Sequence, residues 1–310
     1  MRVTTRGAVV LLLLLLLVGG QAFATEVAIV APALTSTFHV AVAEGALDEG
    51  TKLGWTVHIL AADRETNFIQ QMALVEDMIT RGIDAISVSA INDQALATAV
   101  EHANEVGVPM FSHNTLTPLP SGEVVAYIGY NQWEGGYKMG QEAARLLTEK
   151  YGEPRGKVAI LEGVPGFHNT ERTSGFRAAL AEYPNIEIVA SQPANWLRQE
   201  GLVVAENILN SFPDVDLFFG ASDAMAQGAA QAAAAMGKEV FTLGIDGNPD
   251  MLEDIKNGVT TATLFVDPVG MGRTVIRTIK AYLDGEEVPQ FVETPTFVVN
   301  RHNVHEYLGQ

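Results

Sequence analysis

The sequence predicts an α/β protein made of two doubly wound, Rossmann-like lobes. Short apolar runs alternate with amphipathic stretches along residues 26–283. The runs are apolar throughout rather than at every second residue, as parallel strands covered on both faces require. The alternation also starts afresh after residue 128, giving two successive βα series.

In the first series, residues 27–31 read as a strand. A helix follows over 38–53, with Thr35, Ser36 and Thr37 offered as N-caps and Gly54 as its stop. Residues 56–61 form the next strand. Over 67–81, Ile69, Met72, Val75 and Met78 recur at three-residue intervals along one helix face, and Gly82 ends it. Strands at 85–89, 109–112 and 123–128 surround a helix at 93–106. The second series reads as helix 134–151, strand 158–162, helix 172–182, strand 186–191 and helix 199–212. It continues with strand 217–220, an Ala-rich helix at 224–236, strand 240–245, helix 249–257, strand 261–266 and a last helix at 269–283. Residues 289–299, with Pro289 and Pro295, read as an extended tail that crosses between the lobes.

The 310 residues are 47% hydrophobic and 18% charged, enough apolar material to offset chain entropy, so disorder is excluded. There is no cysteine, hence no disulfide framework and no thiol chemistry. Lys plus Arg number 19 against 37 Asp plus Glu, a formal charge of −18. Such a surface repels phosphate backbones and argues against nucleic acid as a partner. Residues 1–24 have the makeup of a cleavable secretory signal peptide. Arg2 and Arg6 precede an apolar block at 8–18, Gly19-Gly20 breaks it, and Ala22-Phe23-Ala24 offers the cleavage site. The block is shorter than the roughly 20 residues a membrane span needs. Loss of two arginines with the leader takes the charge from −18 to −20. The product is expected in the periplasm.

Motifs for catalysis are missing. Gly156-Lys157 is followed by Val158 and Gly237-Lys238 by Glu239, so neither completes a phosphate-binding Walker loop. There is no G-x-S-x-G elbow, no G-x-G-x-x-G after the first strand and no H-E-x-x-H. His302 and His305 read as solvated. No catalytic residue, cofactor or metal ligand is assigned, and no enzyme is expected.

In doubly wound sheets, ligands bind beyond the carboxyl ends of the strands. The loops there hold Phe38, His39, Asn114, His168, Asn169, Trp196, Ser222, Asp223 and Asp246, a mix of aromatic plates and hydrogen-bonding groups with few charges. Trp196 lies in a polar loop without the neighbours a core residue needs, and reads as a plate for stacking on a ligand. Phe38 is a second plate or a staple at a helix start. Asp246 is an acceptor for ligand hydroxyls, whereas Asp223 reads as the N-cap of the Ala-rich helix. His39 and His113 stay open between cleft and packing. Asp63 and Arg64 read as a solvated loop.

These loops resemble those of periplasmic sugar-binding proteins of the ribose-binding type, the type I solute receptors of ATP-driven importers. The resemblance spans residues 26–299. Its most specific stretches are residues 45–54, Gly122-Glu123-Val124-Val125, Ser191-Gln192-Pro193-Ala194 and Gly244-Ile245-Asp246-Gly247-Asn248-Pro249-Asp250. It implies a type I periplasmic binding protein fold with three hinge crossovers, near Tyr130, Val266-Asp267 and Thr294. The N-terminal lobe is then 25–129 plus 267–294, and the C-terminal lobe 130–266 plus 295–310. By position it implies ligand contacts at Ser36, Phe38, His39, Ser89, Asn114 and Thr115. In the second lobe it implies Thr170, Trp196, Ser222 and Asp246. The loop at 163–171 is one residue short, so Phe167, His168, Asn169 or Thr170 could each reach the ligand, with Asn169 and Thr170 carried as site residues. Ribose receptors have arginine where Thr115 and Thr170 stand and an acid at Asn114. They also have an amide at Val266 and phenylalanine at His39. Three charged anchors are therefore missing, which argues against ribose.

The expectation is a monomeric, non-enzymatic receptor for a small neutral sugar, sugar alcohol or cyclitol, closing its lobes on the ligand and handing it to a membrane permease of an ABC importer. The competing reading is a ligand sensor presenting its closed form to a chemoreceptor or sensor kinase.

Overall fold

The computed structural model describes residues 24–308. The predicted signal peptide, apart from Ala24, lies outside the described residues. The first series is β1 (Glu26–Ala33), α1 (Thr37–Lys52), β2 (Thr56–Ala62), α2 (Phe68–Arg81), β3 (Ala85–Val88), α3 (Asp93–Val106), β4 (Met110–His113) and β5 (Ala126–Gly129). The second opens with α4 (Gln132–Tyr151) and runs through β6 (Arg155–Glu162), α5 (Phe167–Leu180), β7 (Asn185–Pro193), α6 (Arg198–Ser211) and β8 (Leu217–Gly220). It ends with α7 (Asp223–Ala235), β9 (Phe241–Asp246), α8 (Pro249–Asn257) and β10 (Ala262–Phe265). Then come α9 (Pro268–Leu283), β11 (Phe291–Glu293) and β12 (Phe297–Asn300).

The strands form two six-stranded sheets with the same pattern, β11-β5-β4-β3-β1-β2 and β12-β10-β9-β8-β6-β7. Each is the 2-1-3-4-5 order of a doubly wound sheet with one strand added at the edge. The chain passes from the first sheet to the second after β5, returns after β10 and crosses again between β11 and β12. The extended tail thus serves both sheets. β11 pairs parallel to β5, and β12 pairs antiparallel to β10, an exception to the uniformly parallel pattern. Apolar clusters lie on both faces of each sheet, which is why the strands read as unbroken apolar runs.

Glycines set the closest helix contacts. A Cβ on Gly272 of α9 would stand 2.0 Å from the Val42 carbonyl oxygen of α1, and one on Gly45 would stand 2.0 Å from that of Val269. The second lobe repeats the device. A Cβ on Gly136 of α4 would stand 2.0 Å from the Arg172 carbonyl oxygen of α5. This close approach of α5 fixes where Arg172 can reach.

Helix α5 begins at Phe167, five residues before its predicted start. The Gly-Val-Pro-Gly break at 163–166 and the weak helix formers after it hide the first turn in the sequence. Among the described residues, no helix is long and apolar enough to cross a membrane.

Candidate functional site

The carboxyl ends of both sheets face one cleft, with a cavity of about 690 Å³ lined from both lobes. In the first lobe, the β1–α1 turn supplies Ser36, Phe38 and His39. Phe38 is buried and meets the His39 ring edge-on, 5.1 Å between centroids. Ser89, at the β3 tip, is anchored by its own backbone: its N–H donates to Val30 and its carbonyl accepts from Gln71 Nε2 at 2.8 Å. At the β4 tip, His113 Nδ1 and Ser87 Oγ are 2.9 Å apart. Asn114 turns the chain at φ 64°, a conformation that asparagine tolerates better than most residues.

In the second lobe, Asn169 Oδ1 accepts from the Gly163 N–H at 2.7 Å, tying the first turn of α5 to the β6 tip. Asn195 and Trp196 both take left-handed backbone angles, φ 50° and 67°. The Glu162 carbonyl holds this turn by accepting from the Ala194 and Asn195 N–H groups. The Trp196 ring is thereby pressed on Gly163, whose Cβ would lie 2.1 Å from it. Trp196 is half-buried, partly against the apolar cluster beneath.

Arg172 organises the floor of the cleft. Its Nε donates to Gln132 Oε1 at 2.8 Å, and its Nη1 donates to the Ala221 carbonyl at 2.7 Å and to Asp246 Oδ1 at 3.1 Å. The guanidinium sits 5.6 Å from the Trp196 ring centroid, within cation–π range. Gln132 in turn donates to the Asn114 carbonyl at 2.9 Å. One line of hydrogen bonds therefore runs from Asn114 in the first lobe to Asp246 in the second.

Asp223 corrects its predicted role. Ser222 occupies the N-cap position of α7, and Asp223 is fully buried behind the cleft. Its Oδ2 accepts from the Gly247 and Asn248 N–H groups, both at 2.8 Å, and its Oδ1 accepts from Thr263 Oγ1 at 2.5 Å. It builds the loop that carries Asp246 rather than capping its own helix.

Burial governs the titration of the site. It holds His39 well below the ordinary histidine range, and pushes His113 down to about 4 and His168 to about 3. All three are neutral imidazoles, each with one donor and one acceptor nitrogen. Burial pushes Asp246 up to about 6 against the pull of Arg172. Several buried polar atoms have no hydrogen-bond partner: His39 Nδ1, Ser89 Oγ, His168 Nδ1, Ser222 Oγ and Asn248 Oδ1. All five belong to residues that line the cavity. His113 Nε2 is likewise unpartnered.

Nine of the expected residues come together along the cavity: Ser36, Phe38, His39, Ser89, Asn114, Asn169, Trp196, Ser222 and Asp246. Thr115 and Thr170 do not. Thr115 lies past the Asn114 turn, and its Oγ1 accepts from the Thr117 N–H at 3.0 Å. Thr170 is exposed, because Asn169, Arg172 and Thr173 take the inward face of α5. Of the four candidates in that loop, Phe167, His168 and Asn169 line the cavity. Arg172, close in sequence to the expected contacts but not among them, and Glu65, which was not anticipated, also line it. Arg172 was hidden by the late start given to α5. Glu65 follows β2, a strand whose loop carried no signal beyond ordinary solvated charge.

The family model for the periplasmic binding protein domain matches residues 27–287. The ribose import binding protein of Bacillus subtilis is 34% identical over 263 residues, covering 84% of this chain and 83% of its own. A solute-binding protein of an ABC transporter from Actinobacillus succinogenes, solved with bound D-allose, superposes with a TM-score of 0.83 at 29% identity. That match covers 91% of this chain and all of the other. A Bacillus halodurans solute-binding protein, solved with myo-inositol, gives 0.83 at 28% identity, covering 93% and 98%. With two parallel-sheet lobes facing one cleft and these relatives, the chain belongs to the periplasmic binding proteins of the ribose-import type.

Proposed function

We propose that the chain is the substrate-binding component of an ABC importer. Exported to the periplasm by its leader, it takes a small neutral sugar, sugar alcohol or cyclitol between its lobes and presents it to a membrane permease. The observation that carries this reading is one cavity lined from both lobes by residues that hold unpartnered buried polar atoms. Each such atom left unsatisfied costs roughly 1–3 kcal/mol. A polyol, whose hydroxyls both donate and accept, satisfies neutral imidazoles and serine hydroxyls together. Ser36, His39, Ser89, Asn114, Asn169, Ser222 and Asp246 then supply the hydrogen bonds, and Phe38 and Trp196 the apolar plates.

The charges support a neutral ligand. The cleft holds more charge than the sequence suggested, but its cations are answered from within, Arg172 by Asp246 and Arg198 by Asp250. Ribose is disfavoured, since Thr115 and Thr170 stand where ribose receptors place arginine. The relatives solved with D-allose and myo-inositol are consistent with a compact polyhydroxylated ring. The lobes are taken as 25–129 plus 267–294 and 130–266 plus 295–310, the three crossovers acting as hinges. Ligand bridging both lobes shifts the open–closed equilibrium towards closure.

The test is a thermal-shift panel of pentoses, hexoses, alditols and inositols, followed by small-angle scattering with each hit. A ligand at 100 times its dissociation constant should add about 2.7 kcal/mol of stability, and scattering should show a more compact particle. No stabilising compound in the panel, or an unchanged scattering profile with every hit, overturns the proposal.

A further inference from the structure

Glu65 stands in the cleft without a partner. Its neighbours Asp63 and Arg64 are exposed and bonded to each other, Nη2 to Oδ2 at 3.4 Å. One residue further on, Glu65 is half-buried and lines the cavity. Among the described residues it has no hydrogen bond or ion pair. The carboxylates across the cavity are engaged, Asp246 by Arg172 and Asp250 by Arg198. Asp93, also on the first-lobe wall, is exposed. Glu65 is therefore the less exposed of the two unengaged carboxyls on the first-lobe wall.

We propose that Glu65 is a ligand-contacting residue that sets the charge selectivity of the cleft, accepting a hydrogen bond from a hydroxyl or protonated amine of the sugar and repelling a sugar carboxylate. The inference rests on the sugar-binding reading above. An incoming uronate or aldonate would find both cleft arginines already paired and meet Glu65 as a like charge. A hydroxyl or ammonium would find in it a free acceptor. Burial, followed by the charge of Asp246, pushes the Glu65 carboxyl up to about 7, with Arg172 opposing. That is the signature of a carboxyl in a dry wall with no counter-ion of its own.

Glu65→Ala and Glu65→Gln in the full chain test this by calorimetry at pH 8.5, where the Glu65 carboxyl is ionised, with D-allose, D-arabinose, myo-inositol, D-glucosamine and D-glucuronate. Both variants should fold and melt at or above the native protein, since Glu65 holds no bond within it and its raised carboxyl costs stability when it ionises. Glu65→Ala should weaken the best-bound neutral or amino probe at least about tenfold, the loss of one charge-assisted hydrogen bond. Glu65→Gln should raise the affinity for D-glucuronate relative to that probe at least about fivefold, through loss of like-charge repulsion. A larger loss for D-glucosamine than for the neutral probes assigns the contact to the amine, and the reverse order assigns it to a hydroxyl. Equal affinities in native and variant proteins overturn this inference alone. Failure of every probe to bind the native protein overturns the sugar-binding reading and this inference with it.

Discussion

Replacing Arg172 with glutamine tests whether the cleft balances its charge from within. Arg172 is 3% exposed and donates to Asp246, Gln132 and Ala221. Asp246 is buried beside a second buried carboxylate, Asp223, whose backbone N–H it accepts at 3.4 Å. Without the cation, two carboxylates share a dry site with no counter-charge. Breaking a buried pair by removing one partner costs about 3–5 kcal/mol. At about 2–4 °C per kcal/mol for a chain of this order of size, the unliganded variant should melt lower by on the order of 10 °C. The pH dependence has a definite sign. Asp246 sits at about 6 while Arg172 pulls it down, so in the variant it must rise further. Between that point and the variant's higher value, the folded variant holds a proton that the native fold and the unfolded chain both lack. Its deficit therefore grows as pH rises above 6, by up to about 1.4 kcal/mol per unit. Urea unfolding of the unliganded proteins at pH 6, 7 and 8 measures it. Arg172→Lys keeps the charge but loses the planar fork that serves three acceptors. It should recover the native pH response and only part of the stability. Equal stability of Arg172→Gln and native protein at pH 8, or a deficit that grows on acidification from pH 8 to 6, would refute the argument.

Trp196→Ala should weaken the best-bound sugar of the thermal-shift panel roughly 5- to 150-fold, taking about 1–3 kcal/mol for stacking on a flat ligand. Trp196→Phe should keep most of that affinity in calorimetry. Because the ring also packs on Gly163 and the cluster below, the unliganded alanine variant should melt lower as well. Asp223→Ala leaves the Gly247 and Asn248 N–H groups without their acceptor and should cost about 1–3 kcal/mol in urea unfolding, and an unchanged midpoint would mean the β9–α8 loop holds without it. His113 titrates at about 4 in the fold, below the ordinary 6.5. The unfolded chain therefore gains a proton first, and stability is lost as pH falls from 6.5 towards 4, by up to about 1.4 kcal/mol per unit. Asp246 and Glu65, with raised values, act the other way across part of that range, so the comparison is between native protein and His113→Asn. The difference between their stability curves should shift steadily over this interval, and parallel curves would rule out His113 as a source of acid lability.

The doubly wound architecture was legible because burial on both faces leaves β-strands as unbroken apolar runs, as in Phe218-Phe219 of β8 and the first strand from Val27 to Ala31. The strand-tip rule then found most of the cleft. What escaped depended on distance in space. Asp223 looks like any acidic helix start, and only the fold shows the Gly247 and Asn248 amides converging on it from 24 and 25 residues away. Arg172 looks in the sequence like a surface cation at a helix start. It is drawn inside because Gly136, 36 positions earlier, leaves room for its backbone. Thr170 was expected in the cleft by position in the resemblance, and the first turn of α5 instead puts it on the outward face of the helix.

The threading of the chain between the sheets orders events during synthesis. Val27, Ile29, Phe111 and Ile128 line a face of the first sheet that Val275, Ile276 and Ile279 of α9 cover. By the time β5 leaves the ribosome, that lobe has five of its six strands, and the part of this face that α9 covers is bare. It stays bare while the whole second series is made, and the second sheet then still waits for β12 on β10. Apolar surface left open for so long is a site for holding factors and for aggregation. Residues 268–300 complete both lobes in one stroke, so two bodies that look separable in shape become folded together, at the end of the chain.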